Sequence, residues 1–172
     1  ISFDTYGLID DSFELGVPGE FNVENALIAM EIAVLNGVSI EAIKEGLRTV
    51  YVKGRTQLLK CALPITTMVI DYAHNAMALE SILTTLREYN PGRLICLFGC
   101  GGDRSPERRF SMGEVSGKLA DLTIITSDNP RFEKPLDIIE DILTGVKKAN
   151  GEYVTIPDRK EAIMYCMKNA KE

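Results

Sequence analysis

Three short polar runs carry the residue types that could do chemistry in this chain. They are Asp71-Tyr72-Ala73-His74-Asn75, Gly99-Cys100-Gly101-Gly102-Asp103-Arg104 and Ser127-Asp128-Asn129-Pro130-Arg131. The glycines before Arg104 let backbone N–H groups approach an anion, and a helix starting just after them adds a partial positive charge. An arginine held beside such groups suits a carboxylate or a phosphate. A bare tight turn explains the glycines equally well, and a salt bridge to Asp103 or Glu107 explains Arg104. Asp71 can accept from ribose hydroxyls or cap the following helix. His74, the only histidine, is of a type more often structural than catalytic. In the third run Pro130 fixes a turn, Asp128 and Asn129 can satisfy local backbone groups, and Arg131 can be a solvated charge. Each run alone leaves its alternatives open; three of them on neighbouring strand ends point to a site.

The elements that must position these runs follow from hydrophobic periodicity. "ISFDTYGLIDDSFEL" alternates as an antiparallel strand pair does, and "VPGE" breaks it. "FNVENALIAMEIAVLNG" puts Ala26, Ala29, Met30 and Ala33 at helical spacing, with Asn22 expected as N-cap and Gly37 as the stop. Ser39 is expected to cap a second helix, "SIEAIKEGLRTV". Residues 1–50 are too few for a core of their own and are expected to complete a larger domain.

From Gly54 the pattern becomes strand-helix alternation. "TQLLKCAL" and "TTMVIDYA" are strand-like about a turn at Pro64; "RLICLFG", "LTIITS" and "YVTIP" are strands separated and followed by amphipathic helices. Continuous apolar strands alternating with helices predict an α/β fold with a mostly parallel, Rossmann-like sheet covered on both faces. Ligands bind such sheets at the carboxyl ends of the strands, here "DYAHN", "GCGGDR", "SDNPR" and "PDR".

Composition narrows the function classes. The 172 residues carry a net charge of −6 and no long lysine or arginine block, which argues against nucleic acid as a partner. No apolar run reaches membrane-spanning length and no leader opens the chain, so a cytoplasmic location is expected. Cys61, Cys96, Cys100 and Cys166 form no C-x-x-C pair, and with one histidine a zinc site is poorly supplied. They are expected to be reduced and mostly buried. The chain opens on Ile1 and closes on the helical run "MKNAKE", as a piece of a longer protein does.

In order, "FNVENALIA", Gly54-Arg55, "VIDYAH", "LFGCGGDRSPERRFSMGEV", "ADLTIITSDNPRFEKP" and "IPDRKEAI" resemble the carboxyl-terminal part of the Mur ligases. The tripeptide synthetase, or MurE, type is the nearest match. The resemblance implies an ATP-dependent amide ligase of peptidoglycan precursor synthesis. In such enzymes ATP phosphorylates the terminal carboxylate of UDP-MurNAc-L-Ala-D-Glu, and the amine of a diamino acid displaces phosphate from the acyl phosphate. It further implies that residues 1–53 end a central ATP-binding domain and that 54–172 form a truncated carboxyl-terminal domain. The P-loop and most magnesium ligands are then expected outside this chain, since no G-x-x-x-x-G-K-[ST] occurs in it, and the segment alone is expected to be inactive.

Residue by residue, the resemblance gives Asn25 to adenine, Arg55 to the nucleotide phosphates and Asp71 to the ribose. His74 stands near the reaction centre with no firm role. Arg104, Asp128, Asn129, Pro130 and Arg131 form the amino-acid site, and "DNPR" matches enzymes that add meso-diaminopimelate. An arginine suits that substrate's second carboxylate, and Asp128 with Asn129 its ammonium. The chain departs from the family at Asn75-Ala76-Met77, where threonine, proline and aspartate are common, and at Phe110, where the family has proline after two basic residues. A ligase with another acceptor, or a non-catalytic nucleotide- or amino-acid-binding module, are the alternatives. A nicotinamide-dependent dehydrogenase is opposed by Arg104, which stands where the last glycine of its fingerprint would be.

Overall fold

The computed structural model describes residues 1–59 and 67–170. Part of the expected strand "TQLLKCAL", the Pro64 turn and Cys61 lie outside the described residues. The chain divides into two compact units. Residues 1–59 with Val69–Tyr72 make the first, and Ala73 onward forms the bulk of the second.

In the first unit, β1 (Ser2–Thr5) and β2 (Asp11–Glu14) pair antiparallel with Phe3 opposite Phe13, as the alternation predicts. Helices α1 (Glu20–Leu35) and α2 (Ile40–Thr49) follow. Phe13, Met30 and Ile43 form the buried centre, with Phe3, Ile9, Ala33, Val34, Ile40 and Leu47 packed around it. Ser39 caps α2 by accepting from the Ala42 N–H at 3.3 Å. The expected cap of α1 is corrected: the helix starts three residues earlier, at Gly19, whose φ of +102° suits glycine. Asn22 lies inside the first turn, where its side-chain amide donates to the Pro18 carbonyl at 2.7 Å. The stop is as expected, with Gly37 at φ +75° just past the last turn. Ala29, expected on the buried stripe, is exposed.

Strands β3 (Gln57–Leu59) and β4 (Met68–Ile70) pair with each other, and β4 is not a member of the larger sheet. In the second unit β5 (Ile95–Phe98), β6 (Leu122–Ile125) and β7 (Tyr153–Thr155) are parallel, in the order β5-β6-β7. Thus the runs after β5, β6 and β7 share one sheet edge, and the expectation that the Asp71–Asn75 run ends a neighbouring strand of the same sheet is corrected, because β4 pairs with β3 instead. The connections are α4 (Pro106–Leu119) and α5 (Pro135–Lys148), while α3 (Ala76–Glu88) precedes the sheet and α6 (Arg159–Asn169) follows it.

Strand alternation divides the second unit's core. Leu122 and Ile124 face α6, packing around Ala162 with Ile95, Leu97 and Val154. Thr123 faces the other side, where its hydroxyl meets that of Ser116 on α4 at 2.7 Å, both groups fully buried. Helices α4 and α5 lie so close there that neither tolerates a side chain at the crossing. A Cβ on Gly113 would fall 2.1 Å from the Ile142 carbonyl oxygen, and one on Gly145 2.0 Å from that of Phe110. The α/β architecture with helices on both faces is therefore as the sequence predicts.

Candidate functional site at the carboxyl edge of the sheet

The loops leaving β5 and β6 run against each other. The Gly102 N–H donates to the Asn129 carbonyl at 2.9 Å, and the Thr126 N–H to the Phe98 carbonyl at 3.0 Å. This contact explains Gly99 and Gly102 better than either a turn or an anion cradle, while a Cβ on Gly101 would meet nothing closer than 3.7 Å. A Cβ on Gly99 would sit 2.3 Å from the Thr126 oxygen, and one on Gly102 1.8 Å from that of Pro130. The amides of Gly102 and Asp103 are already used, because the Asp103 N–H donates to Glu133. Neither of these two amides is left for an anion, and the side chains beside them supply the charge a ligand would meet.

Those side chains stand at the loop surfaces. Arg104 is exposed, and among the described residues it makes no ion pair with Asp103, Glu107 or any other carboxylate. Asp128, Asn129 and Arg131 are exposed and Pro130 is half-buried. Asn129 accepts from the Arg131 N–H at 3.4 Å, the local turn that its residue type predicts. Arg131 is in the left-handed region at φ +51°, and its guanidinium donates back across the gap to the Gly102 carbonyl. From the third strand end, Arg159 donates to the Ser127 carbonyl at 3.1 Å, and Asp158 caps α6.

Beneath these loops lies a group the sequence reasoning passed over. The Arg109 side chain is 3% exposed, and its Nη1 donates to Glu133 Oε2 and Asp141 Oδ2, each at 2.8 Å. Its Nη2 donates to Glu133 Oε1 at 2.6 Å and approaches the carbonyls of Gly101 and Arg104 at 3.5 Å. The hydrogen bond from Arg109, with that from Asp103, holds the Glu133 carboxyl below the usual carboxylate range, and Glu133 in turn raises Arg109 further. Its signal in the sequence is faint. Arg109, Met112, Gly113 and Ser116 are the buried residues of α4, and a charge at the head of that i, i+3, i+4, i+7 stripe is out of place on an apolar face.

The proposed nucleotide residues belong mainly to the first unit. Asp71 Oδ2 accepts from the Thr56 N–H at 2.7 Å and from its hydroxyl at 3.3 Å, and Thr56 is buried at φ +41°. Next to this pair the Arg55 guanidinium lies 4.6 Å from the centre of the Tyr72 ring, a cation–π contact that fixes the charge without neutralising it. Asn25 is exposed on α1, its amide 3.5 Å from Asn22 Oδ1. His74 is exposed in the second unit. Asn75 caps α3, accepting from the Ala78 N–H at 2.9 Å. Threonine can do the same work, so this departure from the family pattern keeps a structural function. Asp71 is not the cap.

Other candidates carry no chemistry of their own. Cys96 and Cys100 are buried, and burial pushes both thiols up to about 11, out of the range of useful thiolates. Among the described residues no three His, Cys, Asp or Glu side chains gather to hold a metal ion, and no helix is long and apolar enough to cross a membrane.

Known proteins are similar to this chain in sequence and in fold. The diaminopimelate-adding ligase of UDP-N-acetylmuramoyl-L-alanyl-D-glutamate from Caldanaerobacter subterraneus subsp. tengcongensis is 44% identical over 167 residues, covering 94% of this chain and 33% of its own length. A solved structure of a ligase of the same description matches with a TM-score of 0.65 at 33% identity, over 94% of this chain and 33% of that one. The fold extends to the Mycobacterium tuberculosis folylpolyglutamate synthase complexed with ADP and AMPPCP, with a TM-score of 0.72 at 19% identity over 91% of this chain and 36% of that one. The chain thus spans about a third of the length of the relatives it matches. The family model for the Mur ligase glutamate ligase domain matches residues 54–172, the segment whose strand ends carry the interlocked loops, and the chain belongs to the Mur ligase family.

Proposed function

We propose that this chain is the acceptor-binding part of an ATP-dependent ligase that joins meso-diaminopimelate to UDP-MurNAc-L-Ala-D-Glu in the cytoplasm. In this reading residues 1–53 belong to the ATP-binding domain and residues 54–172 to the domain that brings the amino acid. The observation that carries the reading is the interlocking of the β5 and β6 loops, which sets Arg104 and Asp128–Arg131 on adjoining strand ends. The names of relatives about 40% identical over nearly the whole chain support it.

The chemistry needs charge at the acceptor and order at the nucleotide. Arg131 and Arg104 answer the carboxylates of the diamino acid, and Asp128 and Asn129 its distal ammonium, leaving the reacting amine to reach the acyl carbon. On the nucleotide side Asn25 addresses adenine, Asp71 the ribose hydroxyls and Arg55 the phosphates. Thr56 and Tyr72 fix the last two before any ligand arrives. Magnesium supplies charge neutralisation at the phosphates, and its ligands come mostly from outside this chain. His74 is given no proton to move.

The test is Arg131→Ala in the intact ligase. Removing one member of a desolvated charge pair costs about 2–5 kcal/mol. Catalytic efficiency with meso-diaminopimelate should therefore fall by about thirtyfold or more, at about tenfold per 1.4 kcal/mol. Efficiency with L-lysine, which lacks the second carboxylate, should change little, and the KM for ATP should hold. An equal loss with both amino acids would remove Arg131 from acceptor choice.

A further inference from the structure

The cluster that joins buried Arg109 to the half-buried Glu133 and Asp141 is not used by the function proposed above, although it touches both loops that carry the acceptor residues. Arg109 rises from α4, Asp141 belongs to α5 and Glu133 to the loop after β6. The Gly101 and Arg104 carbonyls belong to the loop after β5. Glu133 also holds the Asp103 N–H, and its own N–H donates to the Pro130 carbonyl at 3.0 Å. One carboxylate is thereby bonded to Arg109, to the residue before Arg104 and, through its backbone, to the residue before Arg131.

Both residues that set the direction of the two arginines have unfavourable backbones. Asp103 is at φ +52° and Arg131 at φ +51°, and neither is glycine. Such conformations persist where surrounding bonds over-determine them. Asp103 is fixed by Glu133, and Arg131 by Asn129 and Gly102. The cluster also retains an unmet demand. Among the described residues Arg109 Nε is buried with no hydrogen-bond partner, a cost tolerated for the bonds its two other nitrogens make. An apolar residue would serve packing alone without that cost.

The geometry points to Arg109 and Glu133 as positioning residues for the acceptor site: together they lock the β5 and β6 loops in the register that aims Arg104 and Arg131 at one diamino acid. This rests on the acceptor reading of those two arginines. Neither Arg109 nor Glu133 touches the substrate; both act through the backbone of the residues that do.

The test uses Glu133→Gln in the intact ligase, which keeps the side chain's size and one acceptor oxygen but removes the charge and the second acceptor. Displacing a binding group slightly from its productive geometry costs about ten- to a hundredfold. The KM for meso-diaminopimelate should rise by about that factor while the KM for ATP stays close to wild type, and Asp141, still paired with Arg109, should keep the variant folded at a lowered midpoint of thermal unfolding. Arg109→Lys, which keeps charge but cannot span Glu133, Asp141 and the two carbonyls at once, should raise the same KM. In the 172-residue chain, amide exchange at Gly102 and Asp103 should quicken in Glu133→Gln before exchange in β5 and β6 does, and this reading needs no active enzyme. Two outcomes overturn the inference: an unchanged acceptor KM in Glu133→Gln where Arg131→Ala raises it, or loop exchange no faster than wild type. If Arg131→Ala itself leaves the acceptor KM unmoved, the acceptor reading falls first. If Glu133→Gln does not fold, Asp141→Asn takes its place in the same measurements.

Discussion

Helices α1 and α5 show how differently the two units are finished. Helix α5 buries Ile138, Ile139, Ile142, Leu143 and Val146 against its own unit. Helix α1 is longer and more apolar, yet it buries Ala26 and Met30 and leaves Leu27, Ile28, Ile32 and Leu35 exposed. A helix apolar on all sides is one that is covered on more than one face. The second unit is closed around a three-stranded sheet, whereas the first has covered one side of its main helix.

The sharpest way to break this contrast is to truncate one side chain in each helix. Ile142 is fully buried, and Ile142→Ala should cost about 2–5 kcal/mol. Ile32, 58% exposed, should change stability by no more than about 0.5 kcal/mol when truncated. Denaturant unfolding of both variants, followed with amide exchange to read each unit separately, checks the pair. A cost at Ile32 comparable to that at Ile142 would mean that α1 is covered after all.

A smaller effect sharpens the account of the second unit's closeness. Gly113→Ala puts a methyl group 2.1 Å from the Ile142 oxygen, a backbone atom with no rotamer to escape into. Overpacking of this kind costs about 1–3 kcal/mol or more. The loss should appear as faster exchange in both α4 and α5, and a neutral result would show that the two helices can slide apart freely.

How much of this was legible in the sequence depends on the kind of signal. Leu122–Ile125 is buried at every position, as its short β-branched run, bounded by polar residues, reads for an interior strand. The β1–β2 alternation was equally plain because one side chain type faces each way. The N-terminus of α1 was misread because asparagine is a favoured cap, while the bond that Asn22 makes instead, to Pro18 behind it, has no sequence mark. The loop glycines were read as a turn or an anion cradle. The constraint on Gly99 and Gly102 is the approach of Thr126 and Pro130, 27 and 28 residues later in the chain, which no local pattern encodes. Arg109 was hidden for the same reason: its partners Glu133 and Asp141 are 24 and 32 residues away. Arg104 and the DNPR run enter as site candidates through family resemblance, their residue types alone being ambiguous.

Helix caps separate a structural departure from a functional one. Asn75→Ala removes the side chain that accepts from Ala78 and should destabilise the second unit by about 1 kcal/mol. Asn75→Thr keeps a capping oxygen and should recover most of that loss. Ser39→Ala should cost the first unit a similar amount, since Ser39 makes the same bond to Ala42. Thermal unfolding of the three variants gives the comparison, and an Asn75→Thr variant no better than Asn75→Ala would mean that Asn75 does something other than cap.

The smallest effect has the opposite sign. Gly46 lies inside α2 with none of the described residues within 4 Å of where a Cβ would stand, and its φ is not in the left-handed region. Alanine there loses less backbone freedom on folding than glycine and shields the helix, so Gly46→Ala should stabilise the first unit by about 0.5–1 kcal/mol. The same substitution that wedges apart α4 and α5 at Gly113 would thus strengthen α2, because one glycine fills a crossing and the other faces open space. Amide exchange in α2 should slow in Gly46→Ala, with exchange in α4 through α6 unchanged. If Gly46→Ala instead destabilises the first unit, that face of α2 is already occupied by a partner surface, and the first unit is more nearly complete than its exposed side chains indicate.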